Sequence, residues 1–144
     1  MCYTHRRIMA KLALELMYEG QDKKAEEVLR YTAKMIPDYN VPHNYSSGSM
    51  DLVRTWVALG NKKEALAIIN KMWKNSAQYV RWFCTLDGFR FDSAKNDCLL
   101  HFYILEQLAA VTENVDEKCY QQQSKDLNML AAAYEAKGGR LYED

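Results

Sequence analysis

The side chains of this sequence that could support chemistry are its cysteines, its histidines and two aspartates near one glycine. Cys98 and His101 are three residues apart, so a helix would present both on one face. They would supply two ligands, whereas a zinc site needs three or four that converge. No second pair has such spacing and no Cys-x-x-Cys occurs, so we expect neither a metal nor another cofactor.

An active site built on a cysteine or on carboxylates is a second possibility. Cys84 could form a thiol nucleophile with His43 or His101, and Asp87 and Asp92 could act as acid and base. No spacing brings these groups together, and a turn residue and a helix N-cap explain the two aspartates more simply. No phosphate loop, Gly-x-Ser-x-Gly or His-Glu-x-x-His occurs. We therefore expect no catalytic residue, and the alternative is a small independent enzyme that uses Cys84 or Asp87 and Asp92.

The composition indicates a globular protein that does not bind nucleic acid. Of the 144 residues, 49% are hydrophobic and 26% are charged, which is typical of a folded domain. The 19 acidic and 19 basic residues balance, so we expect no basic surface for nucleic acid. The apolar run 98–105 stops at Glu106, far short of the roughly twenty residues of a membrane span. The four cysteines are widely separated, so we expect reduced, structural thiols.

One stretch of the sequence recurs forty residues further along the chain. The segment 20–29, Gly-Gln-Asp-Lys-Lys-Ala-Glu-Glu-Val-Leu, returns at 60–69 as Gly-Asn-Lys-Lys-Glu-Ala-Leu-Ala-Ile-Ile. The glycines and the alanines coincide, and Leu16 upstream corresponds to Trp56. A fixed period with one chemical pattern indicates a helical repeat, in which each copy is a helix, a glycine turn and a second helix.

The residues of the two turns fit this interpretation. Gly20 and Gly60 each end an apolar-periodic run, at a position where a positive φ favours glycine. Asp22 is the expected N-cap of the helix that follows the first turn. Asn61 is the expected N-cap after the second turn, because Glu64 three residues later completes a capping box.

Helical periodicity predicts six helices, at 4–19, 22–36, 50–59, from about 62 onward, 94–113 and 117–137. The first would turn the apolar stripe of Ile8, Leu12, Ala13 and Leu16 towards the core. Ser46 or Ser49 would cap the third. These helices account for most of the chain, so the sequence predicts an all-α protein.

Two segments leave alternatives open. The fourth helix either runs on or breaks near Asn75-Ser76 and resumes at Gln78. The dipeptide Asp87-Gly88 lies between aromatic residues and is a β-hairpin signal, but in a helical chain we favour a loop. The connection from Pro37 to Tyr45 is the one long irregular stretch, and we expect its tyrosines either to pack over helix ends or to contact a partner.

The predicted fold is a short α-solenoid of about six antiparallel helices, stacked as hairpins. We expect a single domain, 1–144, with repeats at about 4–37 and 46–86. The pair of helices at 94–138 departs from the pattern and would cap the stack, as terminal repeats must.

The spacing Leu16-x-x-x-Gly20-x-x-x-x-Ala25, followed by Pro37 after the second helix, resembles the tetratricopeptide repeat. The period of forty exceeds the usual repeat length, and the Pro37 to Tyr45 connection accounts for the excess. The third copy is degenerate. The resemblance implies stacked helical hairpins with a concave surface for partner proteins.

Residues 5 to 86 also resemble the soluble C-terminal region of a bacterial multi-pass membrane-protein family of unknown function, whose N-terminal part is similar to protein O-mannosyltransferases. The matching positions are Arg7, Leu12, Ala13, Gly20, Lys24, Ala25, Leu29, Pro37, Val41, Pro42, Gly60 and Ala65. This resemblance implies a soluble domain tethered to a membrane through its parent protein, on the extracytoplasmic side. Any glycosyltransferase-like chemistry would lie outside this chain.

The functional prediction is a non-catalytic protein–protein interaction module or scaffold. Stacked hairpins create a groove, and aromatic side chains can line it. The expected partner is a protein, a peptide or the parent membrane chain, with no nucleic acid and no metal. The candidate partner-binding residues are Tyr39, Tyr45 and Trp56, which belong to the irregular connection and to the third helix.

Overall fold

The computed structural model describes residues 2–141, and this part of the chain is helical with no β-strand. Its α-helices are α1 (Cys2–Tyr18), α2 (Asp22–Met35), α3 (Ser49–Ala58), α4 (Lys62–Phe83), α5 (Phe89–Ser93), α6 (Lys95–Glu113) and α7 (Glu117–Ala136). A 3-10 helix, Tyr45–Ser47, precedes α3. The predicted all-α class is confirmed, and six of the seven helices match the predicted ones. The fourth runs without a break.

The chain divides into two compact units between Met72 and Trp73. The first unit contains α1, α2, α3 and residues 62–72 of α4. The second contains residues 73–83 of α4 together with α5, α6 and α7. Each unit has buried hydrophobic residues of its own.

The predicted glycine turn occurs at three places. Gly20, Gly60 and Gly138 have φ of 75°, 81° and 89°. In each turn the glycine N–H donates to the carbonyl three residues back, and the next N–H donates to the carbonyl five residues back. These bonds satisfy carbonyls that a helix end leaves without partners. The last helix therefore ends with the same turn as the two copies of the repeat.

The first unit is packed around small side chains. Ala10 and Ala13 of α1 and Ala25 of α2 have no exposed surface, which lets the helix backbones approach one another. The predicted core stripe of α1 is wrong at two positions, because Ile8 is 58% and Leu12 45% exposed. The close approach of α1 to its neighbours leaves room for alanine on the inner face but not for larger aliphatic side chains.

The start of α3 differs from the prediction that Ser46 or Ser49 caps it. Gly48 is the N-cap residue, with φ of 76°, and no side chain caps the helix there. A Cβ atom on Gly48 would lie 2.8 Å from Cα of Arg7, so α1 also requires glycine at this position. The side-chain cap belongs to the preceding 3-10 helix, where Asn44 and Ser47 form a capping box.

The N-cap of α2 was also predicted one residue too late. Gln21 holds the N-cap position without a side-chain hydrogen bond, and Asp22 is the first helical residue. There its negative charge still lies in the first turn, where the helix dipole favours it. The predicted pair within α2 is confirmed, since Arg30 Nη2 lies 2.6 Å from Glu26 Oε1.

The second unit has an aromatic core. The ring centroids of Phe83 and Phe91 are 4.9 Å apart, and those of Phe102 and Tyr134 are 5.3 Å apart. Phe91 belongs to α5, the five-residue helix that was not predicted, and it is buried while Phe89 is exposed. The Asp87-Gly88 dipeptide therefore forms a loop that leads into this helix, as favoured, and not a hairpin.

Candidate functional site

The first unit contains a buried cation that the sequence analysis did not single out. Arg6 of α1 has no exposed surface. Its Nη1 donates to the carbonyl of Pro42 at 3.0 Å, and its Nη2 donates to the carbonyls of Ile36, at 3.0 Å, and Val41. Its Nε is buried and has no hydrogen-bond partner. Burial lowers the pKa of the guanidinium from its ordinary value.

The loop 37–44, which joins α2 to the 3-10 helix, is held at several points besides Arg6. The carboxylate of Asp38 accepts a hydrogen bond from Lys71 of α4, and this bond is the main cause that lowers the pKa of Asp38. His43 Nδ1 lies 2.9 Å from Ser49 Oγ, and Ser49 Oγ lies 2.9 Å from Ser47 Oγ. The loop is therefore a fixed part of the first unit, although it has no regular secondary structure.

His43 is a neutral histidine in a positively charged neighbourhood. Burial lowers its pKa from 6.5 to about 4, and the charge of Arg6 adds to that effect. Lys71 acts in the same direction, whereas Asp38 opposes it. At neutral pH the imidazole is therefore uncharged, and it contributes a hydrogen bond and not a charge.

A cavity of about 210 Å³ lies in the first unit beside this loop. Its apolar wall comes from α2, α3 and α4 and includes Leu29, Leu52, Trp56 and Ile68. Polar side chains also line the cavity, namely Arg6, Asp38, His43 and Lys71. The remaining lining residues are Thr32, Ala33, Ile36, Glu64 and Ala67. Ala33 and Ala67 are exposed, which places the mouth of the cavity between α2 and α4.

The charged side chains at the cavity are paired, with one exception. Asp38 binds Lys71, and Glu64 Oε1 lies 3.9 Å from Arg30 Nη1. The guanidinium of Arg30 also lies over the Trp56 ring, 5.3 Å from its centroid. None of the ion pairs among residues 2–141 includes Arg6, whose neighbours are carbonyl oxygens.

The three predicted partner-binding residues all belong to the first unit, but they differ in exposure. Tyr39 in the loop is 80% exposed, and Tyr45 at its end is 39% exposed. Trp56 is only 5% exposed, because its ring forms part of the cavity wall. A ligand can reach Trp56 only by entering the cavity, whereas it can reach Tyr39 from the surface.

The residues of the alternative active site lie in the second unit, apart from His43. Asp87 accepts a hydrogen bond from Lys137, and Asp92 Oδ1 lies 2.8 Å from Lys95 Nζ, so the two carboxylates have different partners. Burial raises the pKa of the Cys84 thiol, which disfavours the nucleophilic thiolate.

The candidate metal ligands Cys98 and His101 are both engaged in packing within the second unit. Cys98 is buried, and burial raises the pKa of its thiol to about 12. His101 stacks on Tyr79 with a centroid distance of 4.1 Å, and its Nδ1 lies 3.1 Å from Ser76 Oγ. Burial lowers the pKa of His101. Within residues 2–141, no group of three or more His, Cys, Asp or Glu side chains is placed to hold a metal ion.

Helical spacing contained a signal for Arg6. Arg6, Ala10 and Ala13 follow one another at intervals of four and three residues, so they share one face of α1. The side chains on that face are small or polar. Ile8 and Leu12 lie on another face of α1 that is more hydrophobic, so hydrophobicity favoured the wrong face as the buried one. Nothing in the spacing shows that the carbonyls of residues 36, 41 and 42 surround the guanidinium.

Neither a protein-family model, nor a curated protein, nor a solved structure matches this chain. The geometry of the first unit is therefore the basis on which its function is inferred. None of the helices in residues 2–141 combines the length and the apolar character needed to cross a membrane.

Proposed function

We propose that the chain is a non-catalytic interaction module that binds a protein partner through the first unit. The partner surface consists of the exposed tyrosines of the loop region, Tyr39 and Tyr45, together with the cavity mouth beside them. The observation that carries the proposal is that Tyr39 is 80% exposed on a loop held in place by hydrogen bonds from the buried Arg6.

A fixed loop favours binding, because less conformational entropy is lost when a partner orders it. Tyrosine is enriched among the residues that dominate binding energy at protein interfaces. Asp38 is tied to Lys71 and His43 to Ser49, so the backbone on both sides of Tyr39 is constrained in the free protein. These contacts support a surface that is already formed before the partner arrives.

The titratable groups support a role without catalysis. The thiols of Cys84 and Cys98 have raised pKa values, which disfavours a nucleophilic role. Asp87 and Asp92 are bound to separate lysines. His43 and His101 each approach a serine hydroxyl, at 2.9 Å and 3.1 Å, and no carboxylate orients either ring through a hydrogen bond in the described part of the chain.

The sequence resemblances supply two proposals about the setting. The similarity to the tetratricopeptide repeat implies a partner protein or peptide. The similarity to the C-terminal region of a membrane-protein family implies that the parent chain is itself a partner, with the domain tethered at the membrane. In either setting the same loop surface would make the contact.

The test is a crosslinking and recovery experiment on membranes of the source organism. A photo-reactive phenylalanine analogue at position 39 identifies what contacts the loop. We expect the double variant Tyr39→Ala/Tyr45→Ala to recover much less of that protein. The matched control is Tyr18→Ala/Tyr31→Ala, which removes two exposed tyrosines of α1 and α2 outside the loop.

Equal recovery by the two double variants, both folded by circular dichroism, would show that the loop is not the partner surface. Turnover of any substrate by the isolated chain, lost on Cys84→Ser or Asp87→Asn, would replace the proposal by the enzyme alternative.

A further inference from the structure

The outer face of α1 is apolar at positions where the second copy of the repeat is buried or closely packed. Leu12 corresponds to Leu52, forty residues further along, but Leu12 is 45% exposed and Leu52 only 4%. Ile8, one turn before Leu12, is 58% exposed. The end of a helical-repeat array needs a polar outer face to stay soluble. The outer face of α1 is therefore not that of an ordinary terminal helix.

In the second copy the first copy covers the same face. A Cβ atom on Gly48, which corresponds to Ile8, would lie 2.8 Å from Cα of Arg7 and 3.2 Å from Cβ of Ala10. Leu52 lines the cavity that residues of α2 also line. Positions 48 and 52 of α3 therefore meet the first two helices, whereas the corresponding positions of α1 are open to solvent.

We call Ile8, Leu12 and Leu16 the stacking face of α1. Leu16 is half-buried and corresponds to Trp56, which is 5% exposed. These three residues follow one another at intervals of four, so they lie along one side of the helix.

The charged side chains on either side of Leu12 have opposite signs. Arg7 and Lys11 are exposed in the N-terminal half of α1, and Glu15 and Glu19 are exposed in the C-terminal half. None of the ion pairs among residues 2–141 includes Lys11 or Glu15. Two copies of such a helix bring opposite charges together when they run antiparallel, and like charges together when they run parallel.

We propose that a second copy of this chain covers the stacking face, in a two-fold symmetric dimer whose α1 helices run antiparallel. With the axis at Leu12, the two Leu12 side chains meet, and Ile8 of one copy lies level with Leu16 of the other. Lys11 of one copy then comes within about 3 Å, measured along the helix, of the level of Glu15 of the other. The apolar residues and the flanking charges are both satisfied by this one arrangement.

The stacking face is small, so we expect a weak dimer. α1 has 17 residues and is about 26 Å long, and only one side of it would be buried. Interfaces below about 1,200 Å² are typical of weak or transient complexes. Sedimentation equilibrium of the whole chain should therefore show monomer and dimer, with a dissociation constant between about 10 µM and 1 mM.

A substitution at the centre of the stacking face tests its role. Leu12→Glu should weaken self-association by at least about tenfold, because it places two carboxylates against each other at the two-fold axis. The matched control is Leu100→Glu, which changes a leucine of α6 in the second unit that is 49% exposed. It should leave the dissociation constant unchanged. Circular dichroism checks that both variants are folded.

A charge swap tests the antiparallel orientation. Lys11→Glu and Glu15→Lys should each weaken the dimer by about threefold or more at low ionic strength, where exposed charges are screened least. The double variant Lys11→Glu/Glu15→Lys should recover the wild-type dissociation constant, because opposite charges again face each other across the axis. In a parallel dimer the double variant would still oppose like charges and would show no recovery.

Three results would overturn the proposal. A chain that stays monomeric at the highest concentration would leave the stacking face to a segment of another protein. Equal self-association by folded Leu12→Glu and Leu100→Glu would place the dimer contact elsewhere. Failure of the charge swap to recover dimerisation would exclude the antiparallel pairing.

The dimer goes beyond the proposed partner surface and does not depend on it. The stacking face includes neither Tyr39 nor Tyr45, so the double variant Tyr39→Ala/Tyr45→Ala should self-associate as the wild type does. The two proposals therefore fail independently.

Discussion

Arg6 Nη2 donates a hydrogen bond to the carbonyl oxygen of Ile36 at 3.0 Å, across thirty residues of sequence. Ile36 is the C-cap of α2, where carbonyls lack partners within the helix. The same guanidinium binds the carbonyls of Val41 and Pro42. One buried side chain of α1 therefore both terminates α2 and fixes the loop that follows.

Arg6→Met is expected to destabilise the protein by about 3 kcal/mol or more, because it removes the donor of the Ile36, Val41 and Pro42 carbonyls, and the bond to Val41 is buried. The measurement is the free energy of unfolding from urea denaturation followed by circular dichroism. Arg7→Met, at the exposed neighbouring position, serves as the control and should change stability by less than about 0.5 kcal/mol. Similar midpoints for the two variants would mean that the Arg6 hydrogen bonds contribute little.

Two glycines with the same backbone conformation should respond differently to alanine. Gly60→Ala meets no atom within 4 Å, so the positive φ alone is expected to cost about 1 kcal/mol. Gly48→Ala adds a Cβ at 2.8 Å from the Arg7 backbone and should cost about 2–3 kcal/mol. Thermal unfolding of both variants measures the difference. A Gly48→Ala protein as stable as Gly60→Ala would contradict the close approach of α1 and α3.

His43 should make stability depend on pH in mildly acidic solution. Its pKa in the folded chain is about 4, below the ordinary value of 6.5. Between these two pH values the imidazole binds a proton in the unfolded chain but not in the folded chain. The stabilisation is complete above about pH 6.5 and is lost as pH falls to about 4. We expect a loss of up to about 2 kcal/mol, reduced for the partial solvent contact of the ring.

The measurement is urea denaturation at several pH values between these limits. His43→Gln should flatten the curve, whereas His5→Gln at an exposed position should leave it unchanged. In His43→Gln the free energy of unfolding should still fall slightly as pH falls, because burial also lowers the pKa of His101. A wild-type curve that is flat over this range would show that His43 is not held neutral.

Cysteine reactivity should follow burial. Cys2 is exposed, whereas Cys98 is buried and its thiol pKa is raised to about 12. Iodoacetamide should therefore modify Cys2 rapidly in the folded protein and Cys98 only after unfolding. Mass spectrometry of timed samples measures both sites, with Cys2→Ser as the control for assignment. Labelling of Cys98 at the rate of Cys2 would contradict its burial.

The helices could be predicted because their ends are encoded locally. Gly20 and Gly60 take the positive φ that the turn requires, and Pro37 follows the end of α2 as expected. The short α5 could not be predicted, because five residues carry too little periodicity and Phe91 is fixed by contacts with distant aromatic residues.

The candidate site was harder to predict, since its contacts are long-range. The tyrosines of the loop could be selected from their position, but whether the surface binds a partner stays a prediction. The cavity wall combines residues from four helices and one loop, and no spacing in the sequence reveals such a combination. Hydrophobicity was also misleading for α1, where the inner face is occupied by Arg6 and alanines and the larger Ile8 and Leu12 are exposed.

Surface loops usually tolerate insertions and deletions, but the 37–44 loop should not. The carbonyls of Val41 and Pro42 must reach the same guanidinium as that of Ile36, so the number of residues between them is fixed. Removing one residue between Ile36 and Val41 would shift both later carbonyls out of register with Arg6. Among related chains, this segment should therefore keep a constant length, even where an exposed side chain such as Asn40 varies.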